Sequence, residues 1–304
     1  KSGSPAGTAE PGQKDKTMNK NTIIGVAVCF ALFLGSFFLS SESFTIYWNF
    51  AALIIVFSGT IGAAILATGW ERLRESLRLA GEVFREEPVS VRAVLTQLLY
   101  LSVRARKGGV HSLNHLDQPP LCPQLQRALE LIRDNYKEDE IRDILGSEAA
   151  FHIARERRHA RLFRNMSSYA PSFGMAGSVI GLVGLLMGLG DTEFILKSIP
   201  IALISTLYGV VLSNFFLIPT AERLRQSLET EALLYQLVLE GAVTLVREAN
   251  VHKLLTKLNA LVPPEERIAD PLMIKKLHRL AQLEEEEDRE LLPLEPVLEV
   301  AQAN

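Results

Sequence analysis

Two apolar stretches rich in small residues, Pro171 to Gly190 and Phe194 to Pro219, follow one another with only Asp191 to Glu193 between them. A hydrocarbon core about 30 Å thick needs about 20 mostly apolar residues in a helix, and a helix is the open-ended form that satisfies its own backbone there. The pair therefore predicts a membrane hairpin. Thr22 to Leu39 and Ile46 to Gly69 form a second pair near the N-terminus. The expected fold is an all-α membrane protein with four transmembrane helices, two on either side of a large helical loop.

Overall composition conceals this pattern, because 22% charged residues and a net charge of -3 describe an ordinary soluble domain. Mapped along the chain, the charge lies almost wholly outside the four stretches. Positions 22–39, 46–69 and 171–190 contain no Asp, Glu, Lys or Arg, and the fourth stretch holds only Lys197, within a turn of its start. Lys197 can snorkel to the interface.

Orientation follows from the flanking basic residues, since Lys and Arg near span ends are retained on the cytoplasmic side. Lys14, Lys16 and Lys20 precede the first span, and Arg72, Arg74 and Arg78 follow the second. Arg157, Arg158, Arg161 and Arg164 precede the third, and Arg223 and Arg225 follow the fourth. The short opposite loops, Ser41 to Thr45 and Asp191 to Glu193, have no Lys or Arg. Both termini and the long loop are therefore expected in the cytoplasm of a multi-pass protein. Tyr47, Trp48 and Trp70 suit the interfacial aromatic belt at the two ends of span two.

These readings divide the chain. Residues 1–17 have no apolar period and read as a tag remnant or disordered lead, with Met18 as a native start. Residues 18–70 hold spans one and two, 71–166 the cytoplasmic loop, 167–219 spans three and four, and 220–304 a C-terminal helix with an acidic tail. Within the loop, helices are expected over Glu71 to Glu87, Ser90 to Arg106 and Pro123 to Leu145, with Ser147 capping a last segment that runs into span three. Leucines from Leu224 to Leu245 keep a helical stripe to about Leu261, ended by Pro263 and Pro264. Asp270-Pro271 would start a further helix before the run Glu284 to Asp288, which reads as a solvated face. Cys29 and Cys122 are too far apart in topology to pair, and neither belongs to a zinc spacing.

Gly177, Gly181, Gly184 and Gly188 fall at i, i+4, i+7 and i+11 of span three, leaving one face almost without side chains. In lipid such a face packs closely on another helix. Span four offers a matching strip of Ala202, Ser205, Gly209 and Ser213, and span two offers Ser58, Gly59, Gly62 and Ala63. Small-residue strips are also common helix glue in membrane proteins of any function. Ser178, Ser205 and Thr206 fall at mid-span, where a hydroxyl can coordinate a partly dehydrated cation or instead bond its own i-4 carbonyl.

A proton path needs a titratable group near the midplane, and these spans carry none. An ion path here would need a carboxylate from another polypeptide, which points to one subunit of a complex. Nor does the sequence contain a phosphate-binding loop, a nucleophile elbow or a His pair at metal spacing. The expectation is a protein that is not an enzyme, with no catalytic residue, metal, cofactor or nucleic-acid partner.

The segments Tyr169-Ala170-Pro171-Ser172-Phe173-Gly174-Met175-Ala176-Gly177-Ser178-Val179-Ile180-Gly181-Leu182 and Ala202-Leu203-Ile204-Ser205-Thr206-Leu207-Tyr208-Gly209, with Asn214 and the Pro219-x-Ala221 exit, carry a family resemblance. The chain resembles, from about Met18 to Glu266, the flagellar motor stator A-subunits of the MotA/PomA family, within the superfamily that includes ExbB and TolQ. The hairpin motif is shared by the superfamily. The two-loop-two topology is that of the stator A-subunits, whereas ExbB and TolQ have one span, a loop and two spans.

The resemblance implies a ring of about five copies in the bacterial inner membrane around a dimeric MotB/PomB-like B-subunit that supplies the ion-binding Asp. Ion passage would turn the ring, and the loop would push on the rotor switch protein. Thr206 matches a channel threonine, Ser178 a position that varies with the coupling ion, and Ser205 lies beside them. The balance favours H+ over Na+. Pro171 and Pro219 match prolines that couple channel to loop. Ala105 to Leu113 resembles the torque segment, which places Arg106, with Lys107, on the rotor side; the matching acidic position is Asn114 here, with Asp117 nearby. The alternative is an ExbB/TolQ-like or other non-flagellar ion-driven motor subunit, serving energy transduction, gliding or defence.

Overall fold

The computed structural model describes residues 25, 28, 31, 32, 35, 47–85, 89–109, 112, 113, 119–247, 250–268 and 279. Among these residues all regular structure is helical. The chain divides into two compact units, Lys1–Ala67 with Asn165–Pro219 and Thr68–Arg164 with Thr220–Asn304. Three described helices are long and apolar enough to cross a bilayer, and they begin at Phe50, Glu138 and Thr192. The expected first span lies outside the described residues apart from five isolated helical positions.

In the first, membrane unit, α1 covers Phe50–Thr68. Asn49 opens it, its Oδ1 accepting from the Ala52 N–H at 3.0 Å. The helix is apolar on all sides, as expected of a segment surrounded by lipid and other helices. It stops where Gly69 takes a left-handed φ of 85°, a conformation that costs glycine nothing. The other two membrane helices are the C-terminal part of α5, Glu138–Met187, and α6, Thr192–Val211. Their connection turns at Gly190, with φ 108°. Asp191 then caps α6, its carboxylate accepting from the N–H groups of Glu193 and Phe194 at 3.0 and 3.4 Å.

Span four is not a uniform helix. After α6, residues Leu212–Leu217 form a π-helix before α7 begins at Ile218, and the Ile218 N–H bonds the Ser213 carbonyl five residues back. The apolar pattern predicts an uninterrupted span here. Pro219 supplies a physical reason for the difference, because its ring removes the N–H that an α-helix would direct at the Phe215 carbonyl.

The second unit begins with α2, Trp70–Arg85, which turns Leu73, Ser76 and Ala80 inward. Its buried Ser76 hydroxyl lies 2.7 Å from Nδ1 of the equally buried His159. Next, α3 covers Val91–Gly108, capped by Ser90 and ended by Gly109 at φ 72°. After it, α4 covers Pro123–Arg133, with proline at its first turn where no N–H is needed. Leu95, Leu98, Leu99, Leu125, Leu129 and Ile141 pack with Leu237, Leu254 and Leu258 from α7, Ile218–Arg247, and α8, Val251–Leu261. Gly241 brings α7 close to α3, since a Cβ there would meet Leu98 Cδ2 at 2.7 Å.

Three boundaries differ from the sequence expectation. The helix expected over Pro123 to Leu145 is broken after Arg133 by Asn135, which takes φ 61°, a left-handed conformation that short polar side chains tolerate. Ser147 caps nothing, because α5 starts earlier, at Glu138-Asp139-Glu140. Acidic residues suit a helix N-terminus, and the helix already buries Ile141 and Leu145 before Ser147 is reached. The stripe expected to run to Leu261 is two helices, with Asn250 capping the second through the His252 and Lys253 N–H groups at 3.1 and 3.3 Å. Asp270-Pro271, the acidic run, Asn114 and Asp117 lie outside the described residues.

Candidate ion path

The site grows from the small-residue face of span three. A Cβ on Gly177 would meet Ser205 Cβ at 2.6 Å, one on Gly181 the Ala202 backbone nitrogen at 2.5 Å, and one on Gly184 Ser198 Oγ at 3.0 Å. Gly188 abuts the Phe194 ring in the same way. Each turn along α5 is thus matched by a turn back along α6, an antiparallel seam in which the glycines let two backbones touch. Span four contributes Gly209, where a Cβ would meet the Ala170 carbonyl at 2.5 Å. Span two joins through Gly59, whose missing side chain is replaced by the Phe173 ring. Gly62, by contrast, faces open space.

Seated in this seam are the hydroxyls. Ser178 Oγ and Thr206 Oγ1 are 2.5 Å apart, and Ser178 Oγ also lies 2.5 Å from the Ala202 carbonyl across the seam. Its own i-4 carbonyl, Gly174, is further away at 3.4 Å, and Thr206 reaches the same Gly174 oxygen at 3.4 Å. Two hydroxyl protons serve two carbonyls and one mutual contact, so Ser178 donates to Ala202 while Thr206 donates either to Ser178 or to Gly174. Both side chains are half-buried, whereas Ser205 is fully enclosed and 3.4 Å from the Ala202 carbonyl. Of the two fates open to Ser178 and Thr206, bonding across the helices prevails over bonding along them. The pair therefore presents oxygen lone pairs at the seam edge, chemistry that suits a dehydrated cation or a hydrogen-bond relay.

Pro171 sits inside α5. Having no N–H, it leaves the Ser167 carbonyl without its usual helical donor. Ser213, from the π-helical segment, donates its hydroxyl to that oxygen at 2.7 Å and is itself buried. This partnership escaped the sequence reading, which placed Ser213 only in a strip of small residues. The proline could have flagged Ser167, but the donor is identified only by the register of the two helices. Tyr208 was missed likewise; its hydroxyl donates to the Tyr47 carbonyl at 2.5 Å and accepts from the Asn49 N–H at 3.2 Å, tying span four to the start of span two. Pro219 is the second residue of α7, immediately after the π-helical segment.

Arg106 and Lys107 belong to the other unit. They stand exposed on the last turn of α3, where cations suit the negative end of the helix dipole. Beside them Arg104 is held, its Nε donating to the Ser112 carbonyl at 3.1 Å and its Nη1 to the Tyr100 hydroxyl at 3.1 Å. Lys197, at the opposite end of span four, bonds Glu193 at 2.7 Å and is exposed, as a snorkelling lysine should be.

Comparison with known proteins bears on the fold that carries this site. The family model described as the MotA/TolQ/ExbB proton channel family matches residues 117–236. Motility protein A of Borreliella burgdorferi is 28% identical over 250 residues, covering 82% of this chain and 96% of that protein. The uncharacterized protein YtxD of Bacillus subtilis is 28% identical over 234 residues, covering 77% of this chain and 86% of its own length. The solved structure of the flagellar MotAB stator complex from Bacillus subtilis superposes with a TM-score of 0.69 at 25% identity, over 83% of this chain and 98% of that one. Fold, hairpin motif and coverage coincide: over residues 117–236 the chain resembles the MotA/TolQ/ExbB proton channel family.

Proposed function

We propose that this chain is the channel-forming A-subunit of a bacterial flagellar stator, which couples ion flow to torque. The family it resembles is one of stators and proton channels rather than an enzyme class. The observation that carries the reading is the Ser178–Thr206 hydroxyl pair, 2.5 Å apart and half-buried between spans three and four. Residues 171–190 hold no ionisable side chain, and the single charge of span four, Lys197, bonds Glu193 at the exposed end. Hydroxyls can ligate a cation or relay a proton but do not store charge at neutral pH. A carboxylate from a MotB/PomB-like partner completes the path, and burying it against these oxygens offsets part of the cost of about 3 kcal/mol for a bare mid-membrane charge.

In this reading about five copies form a ring around a dimer of that partner, in the bacterial inner membrane with termini and loop in the cytoplasm. Protons, rather than sodium, are the coupling ion. Pro171 and Pro219 bend the spans where they leave the membrane, and Arg106 with Lys107 engages the rotor. The test is complementation of a stator-deleted host. Thr206→Val keeps the shape and removes the hydroxyl, so swimming and proton flux should fall at least about tenfold, one lost hydrogen bond to a charged group being worth about 1.5–3 kcal/mol. Thr206→Ser should retain most of both. Unchanged motility in Thr206→Val would remove Thr206 from the path.

A further inference from the structure

In the second unit, a cleft of about 580 Å³ opens between α5 and α7, where Arg157, Arg161, Arg164 and Arg225 face Glu222 and Glu229. The arginines of α5 recur at i, i+4 and i+7 and are all exposed, so they form a ladder along one face. Arg225 forms ion pairs with both Glu222 and Glu229. Its hydrogen bond to Glu222 holds that carboxyl below the ordinary range. Both carboxylates of the cleft are thus committed to one arginine, although Glu222 also feels the charge of Arg164. Arg157 and Arg161 make no ion pair among the described residues. The floor between the charged walls is apolar, with Ala160, Ala221 and Leu228 buried.

Along α5, Arg164 precedes Pro171 by only seven residues, about 10 Å of helical rise. The headgroup layer extends about 5–7 Å beyond the hydrocarbon on each side, within reach of an arginine side chain at that position. Ala221 follows Pro219 by two residues on the other wall. An excess of guanidinium, an apolar floor and this proximity to the span ends fit one occupant. We infer that the cleft binds the phosphodiester headgroup of an anionic phospholipid, with Arg161 and Arg164 as its principal donors and the glycerol end on the apolar floor. Guanidiniums suit the site because their planar forks match phosphate oxygens bidentately. A free anion would gain the charge but not the floor. The acidic run at Glu284 to Asp288 would gain only the screened charge.

The test is native mass spectrometry of the full chain in its delipidated membrane complex, after addition of phosphatidylglycerol or phosphatidylcholine with identical acyl chains. Phosphatidylglycerol should be retained preferentially. The double variant Arg161→Gln/Arg164→Gln should reduce that retention about tenfold or more, each basic residue near an anionic surface contributing measurably, while Arg92→Gln on α3 should leave it unchanged. Glu222→Gln/Glu229→Gln frees Arg225 and should increase retention, an opposite-signed result that survives if the arginine variant fails to assemble. Equal retention of both lipids, or undiminished retention in the arginine variant, overturns the assignment. So does complete displacement by inorganic phosphate, which would make the cleft a free-anion site. Retention seen only after truncation at Ile268 would show that the acidic tail fills the cleft, and would also overturn it.

Discussion

At the scale of single residues, the Pro171–Ser167–Ser213 arrangement shows how a membrane helix tolerates a proline. The carbonyl released by Pro171 is not exposed to lipid but accepts from a hydroxyl on span four at 2.7 Å. Coupling between the two residues is therefore testable by a double-mutant cycle. Ser213→Ala should destabilise the protein by about 1–2 kcal/mol, the cost of leaving a buried acceptor unsatisfied. In a Pro171→Ala background the restored N–H serves Ser167, so the same substitution should cost less than half as much. Thermal unfolding of the four purified proteins measures both costs, and equal costs in the two backgrounds would refute the link.

At the scale of elements, the hairpin of α5 and α6 depends on glycines that differ in what surrounds them. A side chain on Gly181 would strike the Ala202 backbone, which cannot rotate away, whereas one on Gly62 meets nothing within 4 Å. Gly181→Ala should therefore lower stability by about 1–3 kcal/mol, the usual cost of overpacking. Gly62→Ala should change it by less than about 0.5 kcal/mol. Thermal midpoints in detergent distinguish them, and similar losses would mean that the seam yields more readily than its geometry implies. The small-residue pattern of span three was legible in the sequence because period 3.6 determines which residues share a face. What could not be read was which glycines touch backbone, because that depends on the rotation of the neighbouring helix. The π-helical segment Leu212–Leu217 was equally hidden, because Pro219 marks the loss of one helical hydrogen bond but not how the preceding turn closes.

At the scale of the whole molecule, the chain separates chemistry by unit. The Ser178–Thr206 pair and the glycine seam belong to the membrane unit, while Arg106 and Lys107 stand exposed on the other. Exposed charges of this kind contribute about 0.2–1 kcal/mol per contact, and salt screens them over about 8–10 Å. On the proposed rotor contact, Arg106→Glu should weaken engagement about two- to fivefold on those magnitudes, counted as torque-generating units in a bead assay. The loss should narrow as ionic strength rises. An equal loss from Arg92→Glu, elsewhere on α3, would show a generic charge effect instead. The second unit also explains why its helices stopped where sequence reading did not expect: Asn135 at φ 61° and Asn250 as a cap are local choices made decisive by a shared leucine core.

From the sequence by itself came the apolar spans, the small-residue faces and the motif that carries the family resemblance, because hydrocarbon thickness and helical periodicity act on residues in chain order. The same reasoning identified Ser178 and Thr206 as mid-span hydroxyls without deciding whether they bonded inward or across. Tertiary structure decided that they meet at 2.5 Å and share carbonyls across the seam. It also decided that Ser213 completes Pro171's helix and that four arginines gather beside an apolar floor. Each of those outcomes depends on the register between helices distant in sequence, and register is set by packing rather than by the local order of residues.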